Sequence, residues 1–282
     1  MRSNSFAVSV VVFAAFMSTG MEPAICRAAD PPAGSAKALE PPANKTVPAA
    51  APAAKAIDPA AMAALNKMGA YLRSLKAFQV SAATSTDGVT DDGQVIATDA
   101  VTDLLAQVPN RLRVEVTRDD QHRLYFFDGK NLTIWAERVN YYATVPAPAT
   151  IAQLADVLYE KYDINLPLED LFLWGTPRSD ARSITAARDF GPSQILGVTC
   201  QQYAFRQPGL DWQIWIQNGA YPLPRKLVLT TTSDPARPRH VSVLTWNLAP
   251  SFDDATFTFD PPKDAHRIVL AELRQEAGSK QK

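Results

Sequence analysis

The apolar positions between residues 58 and 75 recur every three to four residues, which is typical of an amphipathic helix. Asp58 and Pro59 stand at the start of this pattern, and these residue types are favoured at the N-cap and in the first turn of a helix. From Phe78 onward the period changes to two, which is typical of strands with one buried face. The pattern therefore predicts one helix followed by a long β-rich region.

Alternating apolar and polar positions continue in short runs that are separated by turn residues. Asp91-Asp92-Gly93 and Asp128-Gly129 are typical of hairpin turns, so neighbouring strands should be mostly antiparallel. We predict about ten strands from eleven strand-like runs, in residues 78–86, 95–103, 111–117, 122–127, 132–136, 139–145, 184–189, 200–206, 210–217, 225–232 and 241–248.

A helical segment interrupts the strands near the middle of the chain. Thr150 and Gln153 have the spacing of a capping box, and the helical period continues to Tyr162. Pro167 begins a second short helix that ends near Gly175. Because many twisted antiparallel strands tend to curl, the predicted fold class is β-rich α+β, with a single large curved antiparallel sheet wrapped around helices.

The N-terminus has the features of an export signal. Arg2 is followed by an apolar run from Phe6 to Met17, as in a secretory signal peptide. The run is shorter than the roughly 20 residues that a membrane-spanning helix needs. Cleavage after Gly20 and cleavage after Ala28 both fit the pattern, and attachment of a lipid at Cys26 is the alternative. We expect an exported, periplasmic protein without a transmembrane segment in the mature chain.

Composition divides the chain into four regions. Residues 1–28 are the predicted signal peptide, and residues 29–56 are rich in Ala and Pro, which predicts a disordered tether. Residues 57–272 carry the helix and strand patterns and are expected to fold as one domain. Residues 273–282 form a polar C-terminal tail.

The charge and cysteine content exclude several classes of protein. The chain has 28 Lys and Arg residues against 29 Asp and Glu residues, which argues against binding to nucleic acid. Two cysteines in 282 residues exclude a disulfide-dense scaffold and a zinc ribbon.

No catalytic constellation is evident in the sequence. His122, His240 and His266 lie far apart without ligand-like spacing, and we interpret them as surface residues. Cys200 lies in a predicted strand, where a buried inert thiol is the simplest interpretation. The Asp cluster at residues 87–92 lies in a turn; a calcium site there and a paired-carboxylate glycosidase remain open alternatives. We expect no enzymatic activity, no cofactor and no metal site.

Aromatic side chains are concentrated on the predicted sheet. Trp212 shares a face with apolar neighbours and is most simply a core residue, whereas Trp215 lies on the opposite face. Two interpretations remain open, namely ordinary packing under the helices and an apolar cavity with helices 58–75 and 150–174 as its lid. The residues that we predict to line such a cavity are Phe126, Trp135, Tyr141, Leu154, Leu158, Leu171 and Trp246.

Several motifs support a family resemblance. The runs LLAQVPNRLRVE (residues 104–115) and YFFDGKNL (residues 125–132) resemble, in order and spacing, the outer-membrane lipoprotein carrier (LolA/LolB-like) superfamily. The motifs MGAYL (68–72), NYYATVP (140–146) and YPLPRKL (221–227) resemble an uncharacterised bacterial family of predicted periplasmic proteins in that superfamily.

The resemblance spans roughly residues 57–270 and implies both a fold and a function. The implied fold is an open half-barrel whose concave apolar face is covered by helices. The implied function is a non-catalytic periplasmic carrier of a lipid, a lipoprotein acyl chain or another hydrophobic ligand, and no catalytic residue comes with it. We expect a monomer that binds a hydrophobic ligand and no nucleic acid. The alternative is a structural or interaction protein of the cell envelope without a small-molecule ligand, with an envelope protein as its partner.

Overall fold

The computed structural model describes residues 57–272, which form one open sheet of twelve strands together with three α-helices. The predicted signal peptide (1–28), tether (29–56) and polar tail (273–282) lie outside the described residues. The helices are α1 (Pro59–Ser74), α2 (Ile151–Tyr162) and α3 (Asp170–Leu173). The strands are β1 (Ala77–Val89), β2 (Val95–Gln107), β3 (Arg111–Arg118), β4 (His122–Phe127), β5 (Asn131–Ala136), β6 (Tyr141–Pro146), β7 (Ala186–Ile195), β8 (Val198–Gln207), β9 (Leu210–Gln217), β10 (Pro224–Thr231), β11 (Arg239–Asn247) and β12 (His266–Arg267).

The predicted fold class is confirmed, because the sheet is large, unclosed and antiparallel at every strand pair except β12 with β6. The count of twelve strands is higher than the predicted number of about ten. The strand that the sequence missed is β12, which has two residues, and no alternation can reveal so short a strand. The predicted hairpin turns at residues 91–93 and 128–129 connect β1 to β2 and β4 to β5.

The chain builds the sheet in two halves. The strand order is β12-β6-β5-β4-β3-β2-β1-β11-β10-β9-β8-β7. Strands β1 to β6 therefore run outward from the centre, and β7 to β11 return from the other edge until β11 pairs with β1. Helices α2 and α3 lie in the crossover between the two halves, and α1 precedes the first half. None of the described helices is long and apolar enough to cross a membrane.

The helices cover one face of the sheet, which we call the inner face; the opposite face is the outer face. Along β1 the inner-face residues Phe78, Val80 and Ala82 are buried at every second position. Val80 lies opposite Leu104 of β2 and Trp246 of β11, so these three side chains share the inner face. The strict period of two explains why the sequence alone could indicate the strands in this region.

Two apolar clusters form the core between the helices and the inner face. The first cluster joins α2 and α3 to strands β1 to β5 and includes Leu158, which is fully buried. The second cluster joins α1 to strands β7 to β10 through side chains such as Leu65 and Met68. Trp174 and Trp246 contact both clusters, so the two halves of the core meet at these indole rings.

Helix α1 begins where the sequence predicts. The side chain of Asp58 accepts a hydrogen bond from the backbone N–H of Ala60 at 2.8 Å, as an N-cap residue does. Just before it, Ile57 forms a single parallel β-bridge with Ala187 of β7. The start of α1 is therefore fixed to an edge of the sheet.

Candidate functional site

The space between the helices and the inner face is filled mainly by aliphatic and aromatic side chains. Leu154 and Leu158 of α2 and Leu171 of α3 are all buried in the first cluster. The ring of Phe78 lies between two other rings, with centroid distances of 5.8 Å to Phe172 and 5.5 Å to Trp246. An apolar chain inserted here would replace contacts that are already apolar.

The structure separates the seven residues that the sequence groups together. Four of them lie in the helix-covered core, namely Leu154, Leu158, Leu171 and Trp246. The other three lie elsewhere: Phe126 and Trp135 on the outer face, and Tyr141 at the sheet edge, where its ring is 5.5 Å from the His266 ring.

The separation follows from the alternation along the strands. Tyr125 and Phe127 are the buried inner-face residues of β4, so the residue between them must face outward. Phe126 accordingly lies opposite Arg113 of the neighbouring strand β3 and opposite Thr133 of the neighbouring strand β5. The seven residues therefore do not line a single cavity.

A small cavity lies within the helix-covered core, near α3 and strands β8 to β10. Its volume is about 50 Å³, which is far below the roughly 300–1,000 Å³ of typical ligand pockets. One carboxyl group, that of Asp170, stands among its mostly apolar walls. The lining residues are Asp170, Trp174, Ser179, Gln207, Leu210, Trp212, Leu227 and Leu229.

The carboxyl groups at the start of α3 are poorly solvated. Burial raises the pKa of Asp170 to about 6. Burial and the neighbouring Asp170 charge raise the pKa of Glu169 to about 7, although Arg178 opposes this shift. Ionised carboxylates are costly in apolar surroundings, so both groups favour the neutral form more than exposed acids do. Sequence patterns gave no signal of this burial, because an Asp at the start of a helix is usually solvated.

The segment of residues 152–179, which we call the lid segment, is joined to the rest of the protein by few polar contacts. The first turn of α2 and its cap form hydrogen bonds with the preceding residues. Apart from these, one hydrogen bond joins the lid segment to the rest of the described chain: Arg73 Nη1 donates to the carbonyl oxygen of Trp174 at 2.9 Å. One ion pair, Lys161 with Glu272 at 3.8 Å, is the second link. The remaining contacts of the lid segment with the sheet are apolar.

The contact between α1 and the end of α3, which we call the latch, is very close. A Cβ atom on Gly69 would lie 3.0 Å from the backbone nitrogen of Gly175, so a larger side chain would push the two segments apart. Gly175 has a φ of +73°, and its own Cβ would collide with the Arg73 guanidinium. The latch therefore depends on glycine at both positions, and sequence patterns could not pair two glycines so far apart in the chain.

A row of polar side chains continues the inner face beyond the lid segment. Nδ1 of His240 is 2.9 Å from Thr86 Oγ1, and Nε2 is 3.1 Å from the hydroxyl of Ser242. Burial lowers the pKa of His240, so its imidazole is neutral at pH 7. The sequence interpretation placed His240 at the surface, and the structure makes it half-buried. Ser242 is only 3% exposed, so this row satisfies buried polar groups and presents no accessible nucleophile.

A second hollow lies on the outer face, where β11, β1, β2 and β3 form an open groove of about 640 Å³. Ala83, Val101, Val241 and Val243 contribute its apolar surface, and Arg118 is among its charged residues. This groove is open to solvent, so an acyl chain lying there would stay largely in contact with water. Within residues 57–272, no group of three His, Cys, Asp or Glu side chains is arranged to hold a metal ion.

Among curated proteins, no relative matches this sequence. Among solved structures, an uncharacterized conserved protein from Thermus thermophilus is 12% identical, with a TM-score of 0.43 over 74% of this chain and 99% of that chain. LprF from Mycobacterium bovis is 12% identical, with a TM-score of 0.43, and the match covers 70% of this chain and 96% of LprF. A LolA superfamily protein from Nitrosomonas europaea is 11% identical, with a TM-score of 0.33 over 71% and 97%.

One family model matches most of the chain. Residues 61–271 match the family described as "Predicted periplasmic protein (DUF2092)". The chain therefore belongs to this family, and the family and the periplasmic location expected from the sequence are both confirmed.

Proposed function

We propose that this member of the DUF2092 family is a periplasmic protein that binds and carries a hydrophobic ligand, either a lipid or the acyl chain of a lipoprotein, without catalysing a reaction on it. The lid segment is the observation that carries this proposal. Its underside is apolar, and beyond the first turn of α2 one hydrogen bond and one ion pair tie it to the rest of the described chain.

The energetics of lid opening favour an apolar ligand. Lifting the lid segment from the sheet exposes apolar surface at a cost of about 25 cal/mol per Å². It breaks few hydrogen bonds between the segment and the rest of the described chain. A ligand with a long apolar chain restores the lost burial, whereas a polar ligand would not.

The size of the inner-face cavity sets the mode of binding. A volume of about 50 Å³ cannot hold an acyl chain, so the ligand enters only when the lid segment moves outward. The ligand then lies between α2, α3 and the inner face, beside Trp174 and Trp246. In this proposal the described structure corresponds to the closed position of the lid segment.

Quenching of tryptophan fluorescence by a fatty acid brominated at mid-chain tests this location, because bromine quenches only indoles close to it. The wild-type protein is expected to lose emission on titration. The fraction of tryptophan emission that the brominated fatty acid quenches should be smaller in Trp246→Phe and in Trp174→Phe than in the wild type. The matched control is Trp215→Phe, because Trp215 lies on the outer face. The ammonium group of Lys226 is 4.9 Å from the centre of the Trp215 ring.

Two results would count against the proposal. An absence of quenching at saturating fatty acid would show that no acyl chain binds. If only Trp215→Phe lowered the fraction of emission that is quenched, the acyl chain would lie on the outer face, because Val241 of the outer groove packs against the cluster that contains Trp215.

A further inference from the structure

We infer that the outer face of β4 to β6 is a docking groove for an extended peptide segment of a partner protein, and that the chain's own C-terminal segment occupies it here. We call residues 258–268 the strap. The strap combines an aromatic anchor with addition of a strand to a sheet edge. Both are recurring features of peptide recognition.

The anchor of the strap is Phe259, which sits among three aromatic rings of the outer face. Its ring centroid is 5.2 Å from that of Tyr142, 5.4 Å from that of Phe126 and 5.5 Å from that of Trp135. The guanidinium of Arg113 lies 5.6 Å from the Phe126 ring centre and extends the pocket with a cation–π contact. The pocket therefore accepts one aromatic side chain.

The strand addition follows the anchor after six intervening residues. The backbone N–H of His266 donates to the carbonyl of Asn140 at 2.9 Å, and the N–H of Ile268 donates to the carbonyl of Tyr142 at 2.8 Å. Strand β12 thereby pairs in parallel with the first two residues of β6. Among residues 57–272 the pairing of β12 with β6 ends at Tyr142, and no described strand pairs with the rest of that edge of β6.

The strap leaves two buried hydrogen-bond donors of the groove without an acceptor. Among the described residues, neither the indole N–H of Trp135 nor the Nε–H of Arg113 has a hydrogen-bond partner, although both atoms are buried. Each buried donor without an acceptor costs about 1–3 kcal/mol. A partner segment that places a carbonyl or carboxylate oxygen against these donors would bind the same pocket more favourably than the strap does.

The other attachments of this segment allow exchange. Just before the strap, Asp254 pairs with Arg111 at 2.5 Å, but Asp254 is 91% exposed, and surface ion pairs contribute little. Within the strap, the carbonyl of Asp264 accepts a hydrogen bond from Asn140 Nδ2 at 3.0 Å. Phe257 is only 1% exposed and fixes the chain just before the strap. Release therefore involves the strap alone and leaves the core intact.

A synthetic fluorescent peptide with the sequence of residues 258–269 serves as the probe for this groove. In the wild-type full chain the strap competes with the peptide for the groove at an effective concentration on the order of millimolar. The added peptide should therefore bind weakly. Full-chain Phe259→Ala should bind it at least about tenfold more tightly, because the intramolecular competitor is weakened. Adding Trp135→Ala to this variant should abolish the gain, and so should replacing the phenylalanine of the peptide by alanine.

Two further variants make the test decisive. Phe190→Ala removes a 59% exposed aromatic ring of β7 and should leave peptide binding unchanged. Ile268→Pro removes the N–H that donates to Tyr142, and it repeats the test if Phe259→Ala does not fold. Peptide binding that is equal in the wild type and in both strap variants, or that does not depend on Trp135, overturns the inference. Concentration-dependent dimers of the wild type that disappear in Phe259→Ala would assign the groove to the strap of a second copy and overturn the partner assignment.

Discussion

Replacing Leu158 by Asp is expected to abolish retention of an acyl-chain ligand while the sheet stays folded. Leu158 is fully buried in the cluster that joins α2 to the inner face. An uncompensated charge at such a site costs several kcal/mol, so the closed position of the lid segment becomes unfavourable. Because the lid segment has few other attachments, we expect it to detach locally. Loss of about 3 kcal/mol of ligand-binding free energy corresponds to a weakening of more than 100-fold.

The matched control for this change is Tyr159→Asp, one residue further along α2. Tyr159 is 44% exposed, so the same new charge remains in water and should alter neither binding nor stability by much. Ligand affinity is measured by titration with a fluorescent fatty acid, and the free energy of unfolding by urea denaturation. If Leu158→Asp lowers affinity only in proportion to its loss of unfolding free energy, Leu158 is an ordinary core residue and the lid interpretation is wrong.

Replacing Asp170 by Asn is expected to stabilise the protein at neutral pH. The pKa of Asp170 is raised to about 6 in the folded state, so the unfolded chain releases this proton at lower pH than the folded chain does. Stability therefore falls as the pH rises from about 4 to about 6, and stays at the lower value above that range. Asn removes the ionisation and should add about 2 kcal/mol at pH 8 but little at pH 4.

Urea denaturation at pH 4, 6 and 8 measures this effect. Asp119→Asn is the matched control, because Asp119 is exposed in the connection between β3 and β4 and its replacement should change stability little at any pH. Glu169→Gln should behave like Asp170→Asn over a range that extends to about pH 7. A variant Asp170→Asn that is less stable than the wild type at pH 8 would show that the ionised carboxylate is stabilised by the fold.

Both expected results have one physical basis. The lid segment carries leucines that favour the closed position and carboxyl groups that oppose it once they are ionised. Ionisation of Asp170 and Glu169 near neutral pH therefore lowers the free energy needed to lift α3. A residue that costs stability beside an apolar cavity is often retained for function. Ligand exchange should accordingly be faster at pH 8 than at pH 5.

Local patterns in the sequence were sufficient to predict most of the fold. The N-cap at Asp58, the capping box at Thr150 and the hairpin turn at Asp128-Gly129 depend on neighbouring residues only, and the structure contains all three. The period of two around Phe78 indicated the buried face of β1, because Phe78, Val80 and Ala82 on the inner face are apolar.

The composition of the site was harder to predict, because it depends on contacts between distant segments. Tyr125, Phe126 and Phe127 are all aromatic, so hydrophobicity could not indicate which of them faces inward. Phe126 is apolar on the outer face because Phe259 covers it from far along the chain. The approach of Gly69 to Gly175 likewise exists only in the folded protein, and so does the burial of the carboxyl group at the start of α3.

Native mass spectrometry of the protein isolated from its own periplasm, followed by solvent extraction, tests the central claim most directly. We expect a reproducible adduct with the mass of a lipid or acyl chain. The adduct should be lost on denaturation and should be absent from Leu158→Asp but present in Tyr159→Asp. The carrier function would be contradicted if the wild-type protein showed only its own mass and took up no lipid after incubation with phospholipid vesicles. The docking groove on the outer face of β4 to β6 would then be the functional surface.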